Sequence, residues 1–166
     1  MRTHTARALT LVEAVFSIAI VGGLLVAAAN AVGASAATRQ KALQRTQGQQ
    51  LARALLAEIT TLAYQDPTLP TVLLGCELGE SAADRTTFDD VDDFSAYSQS
   101  PPRALDGTAL TADSDWSWRV AVEWVSRDAV DGAVSLLESD VKRITVTVKR
   151  GQVPVATLMG LRANVE

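Results

Sequence analysis

One apolar segment near the amino terminus constrains this chain more than any other feature. From Ala14 to Ala37 the only polar side chains are Ser17, Asn30 and Ser35, and none is charged. The segment exceeds the roughly 18 apolar residues at which a stretch becomes a transmembrane candidate. We therefore predict a helix that can span a bilayer.

Glu13 stands at the head of this segment. An ionised side chain in hydrocarbon costs on the order of 2.5 to 3.5 kcal/mol on insertion scales, so an acid in a membrane helix is usually paired or lies at the interface. We therefore expect Glu13 to have a cationic partner.

The residues around Glu13 carry a family resemblance. The stretch Ala-Leu-Thr-Leu-Val-Glu at 8–13 resembles the type IV prepilin signal Gly-Phe-Thr-Leu-x-Glu, which is shared by pilins and by the pseudopilins of type II secretion. The resemblance implies that a prepilin peptidase cleaves between Ala8 and Leu9 and that the new terminus at Leu9 is N-methylated. It also implies that Glu13 meets the terminal amine of a neighbouring subunit during filament assembly.

The resemblance also implies a location and a set of partners. Residues 1–8 would be the cytoplasmic prepilin leader, and residues 9–37 would first span the inner membrane once and later form the filament core. Residues 38–166 would be an extracytoplasmic pilin-like domain. The partners implied are other pilin or pseudopilin subunits, the peptidase and the assembly platform of the inner membrane. The function implied is that of a minor structural subunit of a pilus or pseudopilus.

Three other interpretations of the segment remain open. A secretory signal peptide could end at Ala34-Ser35-Ala36, although its apolar core should run about 7 to 15 residues. A single-span anchor of an extracytoplasmic binding or sensor protein also has the required length. The third alternative is a buried helix of a cytosolic protein.

The helix is predicted to continue beyond the membrane through 38–64. This region contains no proline and is rich in Ala, Leu, Gln and Arg, and Asp66-Pro67 provides a stop signal. Its large apolar residues recur every three or four positions and are predicted to line one face: Leu51, Leu55, Ile59 and Leu62.

The carboxyl-terminal part, 116–166, shows strand periodicity. Apolar and polar residues alternate over 116–124 and 143–149, and a further run at 153–161 follows the turn at 150–152. Because an antiparallel sheet with one apolar face must be covered, we expect the apolar face of 38–64 to pack on it. The prediction is an α+β fold with a long helix on a small antiparallel sheet of about three strands, which is also the pilin architecture.

Between helix and sheet, 65–115 is a connecting region without sustained periodicity. Its most distinctive part is an acidic run, Asp89, Asp90, Asp92 and Asp93, which lies between Phe88 and Phe94. Two interpretations remain open. Runs of charge usually stay in water, but clustered carboxylates also suit Ca²⁺, although the spacing matches no EF-hand. The two phenylalanines are expected to anchor the run to the core.

Composition argues against catalysis and nucleic-acid binding. The first 37 residues carry Arg2, Arg7 and Glu13, so in a chain of formal charge −4 the remainder carries −5. An acidic domain binds nucleic acid poorly. The only histidine is His4, in the leader, and the only cysteine is Cys76. Neither a histidine-dependent triad, a zinc site nor an internal disulfide can therefore form in the mature part, and no enzymatic activity is expected.

Overall fold

The computed structural model describes residues 10–66, 73–77 and 79–165. Within these residues one α-helix, α1, runs over Leu11–Thr61, and two short 3-10 helices, Arg85–Thr87 and Asp92–Phe94, separate it from five strands. The strands are β1 (Ser98–Gln99), β2 (Trp116–Ser126), β3 (Ala129–Val134), β4 (Val141–Arg150) and β5 (Val153–Ala163). The predicted α+β class is confirmed. The chain divides into two units, the first ending at Leu43 and the second beginning at Gln44.

Helix α1 begins after Thr10, whose Oγ1 accepts a hydrogen bond from the backbone N–H of Glu13 at 3.3 Å. A threonine in this position satisfies one of the donors that the first turn leaves without a partner. The predicted cleavage and methylation sites, Ala8 and Leu9, lie outside the described residues.

Helix α1 ends at Thr61, three residues before the predicted end. The reason is tertiary: Ala63 pairs in parallel with Asp90 of the acidic run, and the N–H of Val91 donates to the carbonyl of Ala63 at 3.1 Å. The chain leaves the helix where the carbonyl of Ala63 bonds to the acidic run and the carbonyl of Tyr64 accepts a hydrogen bond from Lys142.

The sheet is antiparallel, with the order β1-β2-β4-β5, and β3 pairs with the end of β2. The three predicted strands correspond to β2, β4 and β5. Sequence reasoning missed β1 and β3. Strand β1 has only two residues inside the connecting region, and β3 contains Gly132 and is mostly exposed, so neither shows alternation.

The core lies between the sheet and the second part of α1. The predicted helix face is confirmed, since Leu51, Leu55 and Ile59 are buried and Leu62 packs against them half-buried. The register aligns the facing residues of the sheet in rows, for example Val120 opposite Val146. The buried residues that the sheet contributes to this cluster are Trp116, Trp118, Val120, Val122, Ile144, Val146 and Val148.

Two glycines allow the helix and β5 to approach closely. A Cβ at Gly48 would lie 3.3 Å from the Cβ of Ala156, and one at Gly160 would lie 2.9 Å from Cδ1 of Leu56. Glycine within a helix costs about 1 kcal/mol relative to alanine. Close packing against β5 explains why α1 carries glycine at position 48.

Truncating the centre of this core should destabilise the protein. Leu55 is fully buried, so we expect Leu55→Ala to lower the free energy of unfolding by about 2 to 5 kcal/mol. Leu136→Ala is the matched control, because Leu136 is 94% exposed and its truncation should change stability by less than about 0.5 kcal/mol. Urea unfolding of the detergent-solubilised chain, followed by tryptophan fluorescence, measures both. Equal effects of the two truncations would contradict this packing.

Candidate functional site

The first part of α1 presents apolar side chains that nothing in the described chain covers. Leu11 is 82% exposed, Phe16 66% and Ile18 72%. The same exposure extends over Val21, Leu25 and Val32. Contiguous exposed apolar surface of this kind marks a site that contacts lipid or protein.

The segment meets the length and composition requirements of a membrane span. Its most apolar window has a mean hydropathy of 2.3, and α1 is the one candidate span among the described residues. Two of its hydroxyl groups bond within the helix: Ser17 Oγ donates to the carbonyl of Glu13 at 2.8 Å, and Thr38 Oγ1 donates to that of Ala34 at 2.9 Å. Hydroxyl groups that form hydrogen bonds within their own helix can lie in an apolar environment, because they need no bond from water. A single-pass anchor near the amino terminus is consistent with these features.

Glu13 lies in the first turn of α1 and is exposed. Within the described residues no ion pair involves its carboxylate. The amine that the resemblance would supply belongs to Leu9, outside the described residues. The pairing of Glu13 with a neighbouring subunit's amine stays a prediction.

The acidic run is not a solvated loop. Asp90 is 0% exposed, and Asp92 and Asp93 are each 1% exposed, whereas Asp89 lies in water. The expectation that the whole run stays in water is therefore wrong.

The predicted anchoring of the run by its two phenylalanines is confirmed. Phe88 and Phe94 are buried and meet edge to face, with ring centroids 4.8 Å apart. Both also contact the ring of Tyr97. Aromatic packing on both sides carries the acidic run into the core.

Backbone N–H groups hold two of the buried carboxylates in place. Asp90 Oδ1 accepts hydrogen bonds from the N–H groups of Asp92 at 2.7 Å and Asp93 at 3.3 Å. Asp93 Oδ2 accepts from those of Asp89 at 3.0 Å and Asp90 at 3.2 Å. Aspartates bond to nearby backbone in this way in turns, so the run folds around its own side chains.

Lys142 of β4 supplies a buried positive charge to the run. Its Nζ donates to Asp92 Oδ1 at 2.6 Å and to the carbonyl of Tyr64, and it lies 4.2 Å from the centroid of the Tyr64 ring. The side chains of Lys142 and Asp92 are each 1% exposed. One ammonium group thus joins the segment after α1, the acidic run and the sheet.

Sequence reasoning missed Lys142, although a signal was present. Ile144, Val146 and Val148 face the core, and the same alternation extended backwards places Lys142 on the inward face. A lysine at an inward position of a central strand predicts a buried carboxylate partner, because a buried charge must be paired.

Each buried carboxylate of the run has one oxygen that receives no hydrogen bond within the described residues. These oxygens are Asp90 Oδ2, Asp92 Oδ2 and Asp93 Oδ1. Burial, together with a hydrogen bond to Asp92 and its negative charge, raises the pKa of Asp90 to about 9. A carboxyl group with this pKa keeps its proton at neutral pH, so Asp90 adds no negative charge to the run there.

Two groups of side chains in this region could hold a metal ion. Glu77, Asp90 and Asp92 each offer a ligand atom, and these atoms lie within 4.8 Å of one another. Cys76, Glu80 and Asp93 form the second group.

Neither group is the predicted set. The metal interpretation of the run also included Asp89, which is exposed and belongs to neither group. Asp90, Asp92 and Asp93 are divided between the two groups. Sequence reasoning missed Glu77, Glu80 and Cys76 as potential ligands because they precede the run and only folding brings them to it.

The Cys76 group is poorly suited to a metal. Burial first, and then the negative charges of Asp93 and Glu80, raise the pKa of the Cys76 thiol to about 11. The thiolate is the form that binds metals, so at neutral pH a metal would first have to displace the proton of this thiol. Its Sγ instead lies 3.7 Å from the carbonyl oxygen of Asp93, to which it can donate.

Comparison of the chain with protein-family models, with curated proteins and with solved structures finds no match. The structural class of the chain is therefore described from its fold and its exposed apolar segment alone. The described residues form an α+β fold with one candidate membrane-spanning helix and an antiparallel sheet, an arrangement compatible with pilin-like architecture.

Removing the buried ammonium should unfold the acidic run. Lys142→Met leaves Asp92 without its cation, and breaking a buried ion pair from one side costs about 3 to 5 kcal/mol. Arg127→Met is the matched control, because Arg127 and Asp140 form a 3.4 Å pair whose side chains are 71% and 69% exposed. Its loss should cost at most about 1 kcal/mol.

Urea unfolding in the presence of a chelator measures the effects of Lys142→Met and Arg127→Met. Similar small losses for the two variants would show that the buried pair adds nothing to stability.

Proposed function

We propose that the chain is a structural subunit, of the minor type, in a type IV pilus or a type II secretion pseudopilus. A prepilin peptidase would cleave it between Ala8 and Leu9, and it would assemble through its amino-terminal helix. The observation that carries this proposal is an apolar helical segment, exposed on all sides, with one acid, Glu13, in its first turn.

In this proposal the uncovered apolar surface contacts two environments in succession. Lipid covers it while the subunit is stored in the membrane, and the apolar helices of neighbouring subunits cover it in the filament. Because lipid chains are as apolar as leucine, exchanging one for the other yields little hydrophobic free energy. Assembly therefore needs a polar contact to define register, and Glu13 with the Leu9 amine of a neighbour supplies one.

The second unit would form the extracytoplasmic part of the subunit. Its sheet and the helix face containing Leu55 cover one another, so it has its own hydrophobic core. In this role the chain has no catalytic function. This agrees with its lack of any histidine other than His4.

The position of the mature amino terminus tests processing. We expect mass spectrometry of the membrane-extracted protein to find a chain that starts at N-methylated Leu9. A chain starting at Met1 would indicate a plain membrane anchor, the alternative in which the second unit is a binding or sensor domain. A chain starting at Ala37 would indicate an ordinary signal peptide. Either of these results would contradict the proposal.

Substitution of the acid tests assembly. Glu13→Val removes the charge but keeps the segment apolar, so we expect normal membrane insertion and cleavage with loss of the subunit from filaments. Ser17→Val is the matched control. Ser17 lies one turn further along and bonds only within the helix among the described residues, so its replacement should leave assembly intact.

The assembly measurement is the amount of subunit in the sheared filament fraction relative to the membrane fraction, in cells that carry the assembly machinery. Normal incorporation of the Glu13→Val protein would rule out the pairing with Leu9.

A further inference from the structure

We propose that the outer face of the sheet carries a binding site for a phosphate group, either the free ion or a small phosphate monoester. The site is a cavity of about 280 Å³ that crosses β1, β2 and β4 and ends at the turn between β4 and β5. Two cations line it together with hydroxyl and amide groups, among them Arg119, Lys149, Ser98, Ser117, Thr147 and Gln152. This inference concerns only the second unit, so it does not rest on the proposed filament function.

The strand register places two cations and two hydroxyl groups together in one four-residue block. Arg119 of β2 lies directly opposite Thr147 of β4, and Ser117 lies opposite Lys149. Because residues two apart in a strand share a face, all four side chains lie on the side of the sheet away from the buried Trp118. The two cations occupy one diagonal of the block, and the two hydroxyl groups occupy the other.

One ion can contact both cations of the block. Diagonal positions on neighbouring strands are separated by about 7 to 8 Å, which long side chains can bridge. The planar guanidinium of Arg119 can bind two oxygens of one phosphate through parallel N–H groups, and the ammonium of Lys149 adds a further charged donor. Ser98 of β1 is paired with Arg119 and adds a hydroxyl group beside the guanidinium. The block therefore directs charged and neutral donors to one point.

No carboxylate within the described residues neutralises these two cations. The other cations of β4 each pair with a carboxylate: Lys142 with Asp92, Arg143 with Glu123 and Arg150 with Asp113. No such ion pair involves Arg119 or Lys149, and none of the described residues that line the cavity is acidic. Like charges in cross-strand neighbours are destabilising, so an anion that binds both cations would relieve their repulsion.

The charge of the block favours phosphate over a carboxylate. A phosphate monoester carries about −1.5 to −2 charges at neutral pH. This charge balances Arg119 and Lys149 together, whereas a carboxylate balances only one of them. The oxygens of phosphate can also accept hydrogen bonds from both cations and from the hydroxyl groups at the same time.

The size and lining of the cavity limit what else the ligand contains. Pockets for drug-sized molecules measure about 300 to 1,000 Å³ and are mainly apolar, so a polar cavity of about 280 Å³ suits a smaller ligand. Gln152 and Ser98 also line the cavity and can bond to hydroxyl groups in the organic part of an ester. The ligand class is therefore inorganic phosphate or a phosphate monoester of a few carbon atoms.

Titration of the full-length chain with two phosphate compounds tests the site. The protein is kept in a maltoside detergent, which contains no phosphate, at an ionic strength of about 0.15 M, where attraction between distant surface charges is screened. We expect isothermal titration calorimetry to show saturable binding of one inorganic phosphate or one glycerol 3-phosphate per chain. Acetate should bind at least about tenfold more weakly, because it leaves one cation without a charged partner.

The two phosphate compounds also distinguish the source of the phosphate group. Tighter binding of glycerol 3-phosphate than of inorganic phosphate would identify a monoester as the ligand, and equal or weaker binding would identify the free ion. Failure of both compounds to bind, or equal binding of acetate, would overturn the proposal.

Two arginine variants with the same chemical change locate the ion. Arg119→Gln removes a charged donor but keeps an amide, so the phosphate affinity should fall at least about tenfold. Arg127→Gln is the matched control. Arg127 is also exposed, but it pairs with Asp140 outside the cavity, so its replacement should leave the phosphate affinity unchanged. Equal affinity in the two variants would show that the proposed site is wrong.

Two threonine variants keep the test decisive if Arg119→Gln does not fold. Thr147 and Thr145 lie two residues apart on the same face of β4, and both are half-buried, but only Thr147 lines the cavity. Thr147→Val should therefore weaken phosphate binding by about two- to tenfold, the effect of one lost hydrogen bond, whereas Thr145→Val should leave it unchanged. Equal phosphate affinity in these two variants would refute the site. Because no assembly machinery takes part, these results are separable from the outcome for filament assembly.

Discussion

A single buried ammonium group connects the parts of the second unit. Lys142 reaches from β4 to Asp92 and to the carbonyl of Tyr64, so it ties the sheet, the acidic run and the segment after α1 together. Its charge is nearly removed from water, and such a group is stable only when its partners are correctly placed. The position of the acidic run against the sheet depends on this arrangement.

Residues 11–43 and residues 44–61 of α1 differ in what covers their apolar side chains. Residues 44–61 satisfy their apolar face within the chain, where Leu51, Leu55 and Ile59 meet the sheet. Residues 11–43 leave their apolar side chains exposed, and exposed apolar surface of this extent marks contact with lipid or with protein. A helix with one covered part and one uncovered part is compatible with the membrane-stored, filament-forming subunit that we propose.

The acidic run shows how burial changes the meaning of a sequence pattern. Four aspartates in a loop-like region predict a solvated surface, and only Asp89 meets that expectation. Phe88 and Phe94 supply the apolar contacts that carry the run inward, while backbone N–H groups and Lys142 offset part of its charge.

Local patterns in the sequence determined the helix, its apolar face and the three long strands. These features have periods of 3.6 and 2 residues, which are set by backbone geometry and can be read in a short window. The exposed segment before Leu43 followed from composition. Only the tertiary structure decided that three aspartates are buried, that Lys142 meets Asp92 and that Glu77 joins them. The physical reason is that these contacts join residues distant in the chain, and their formation depends on the packing of the whole unit.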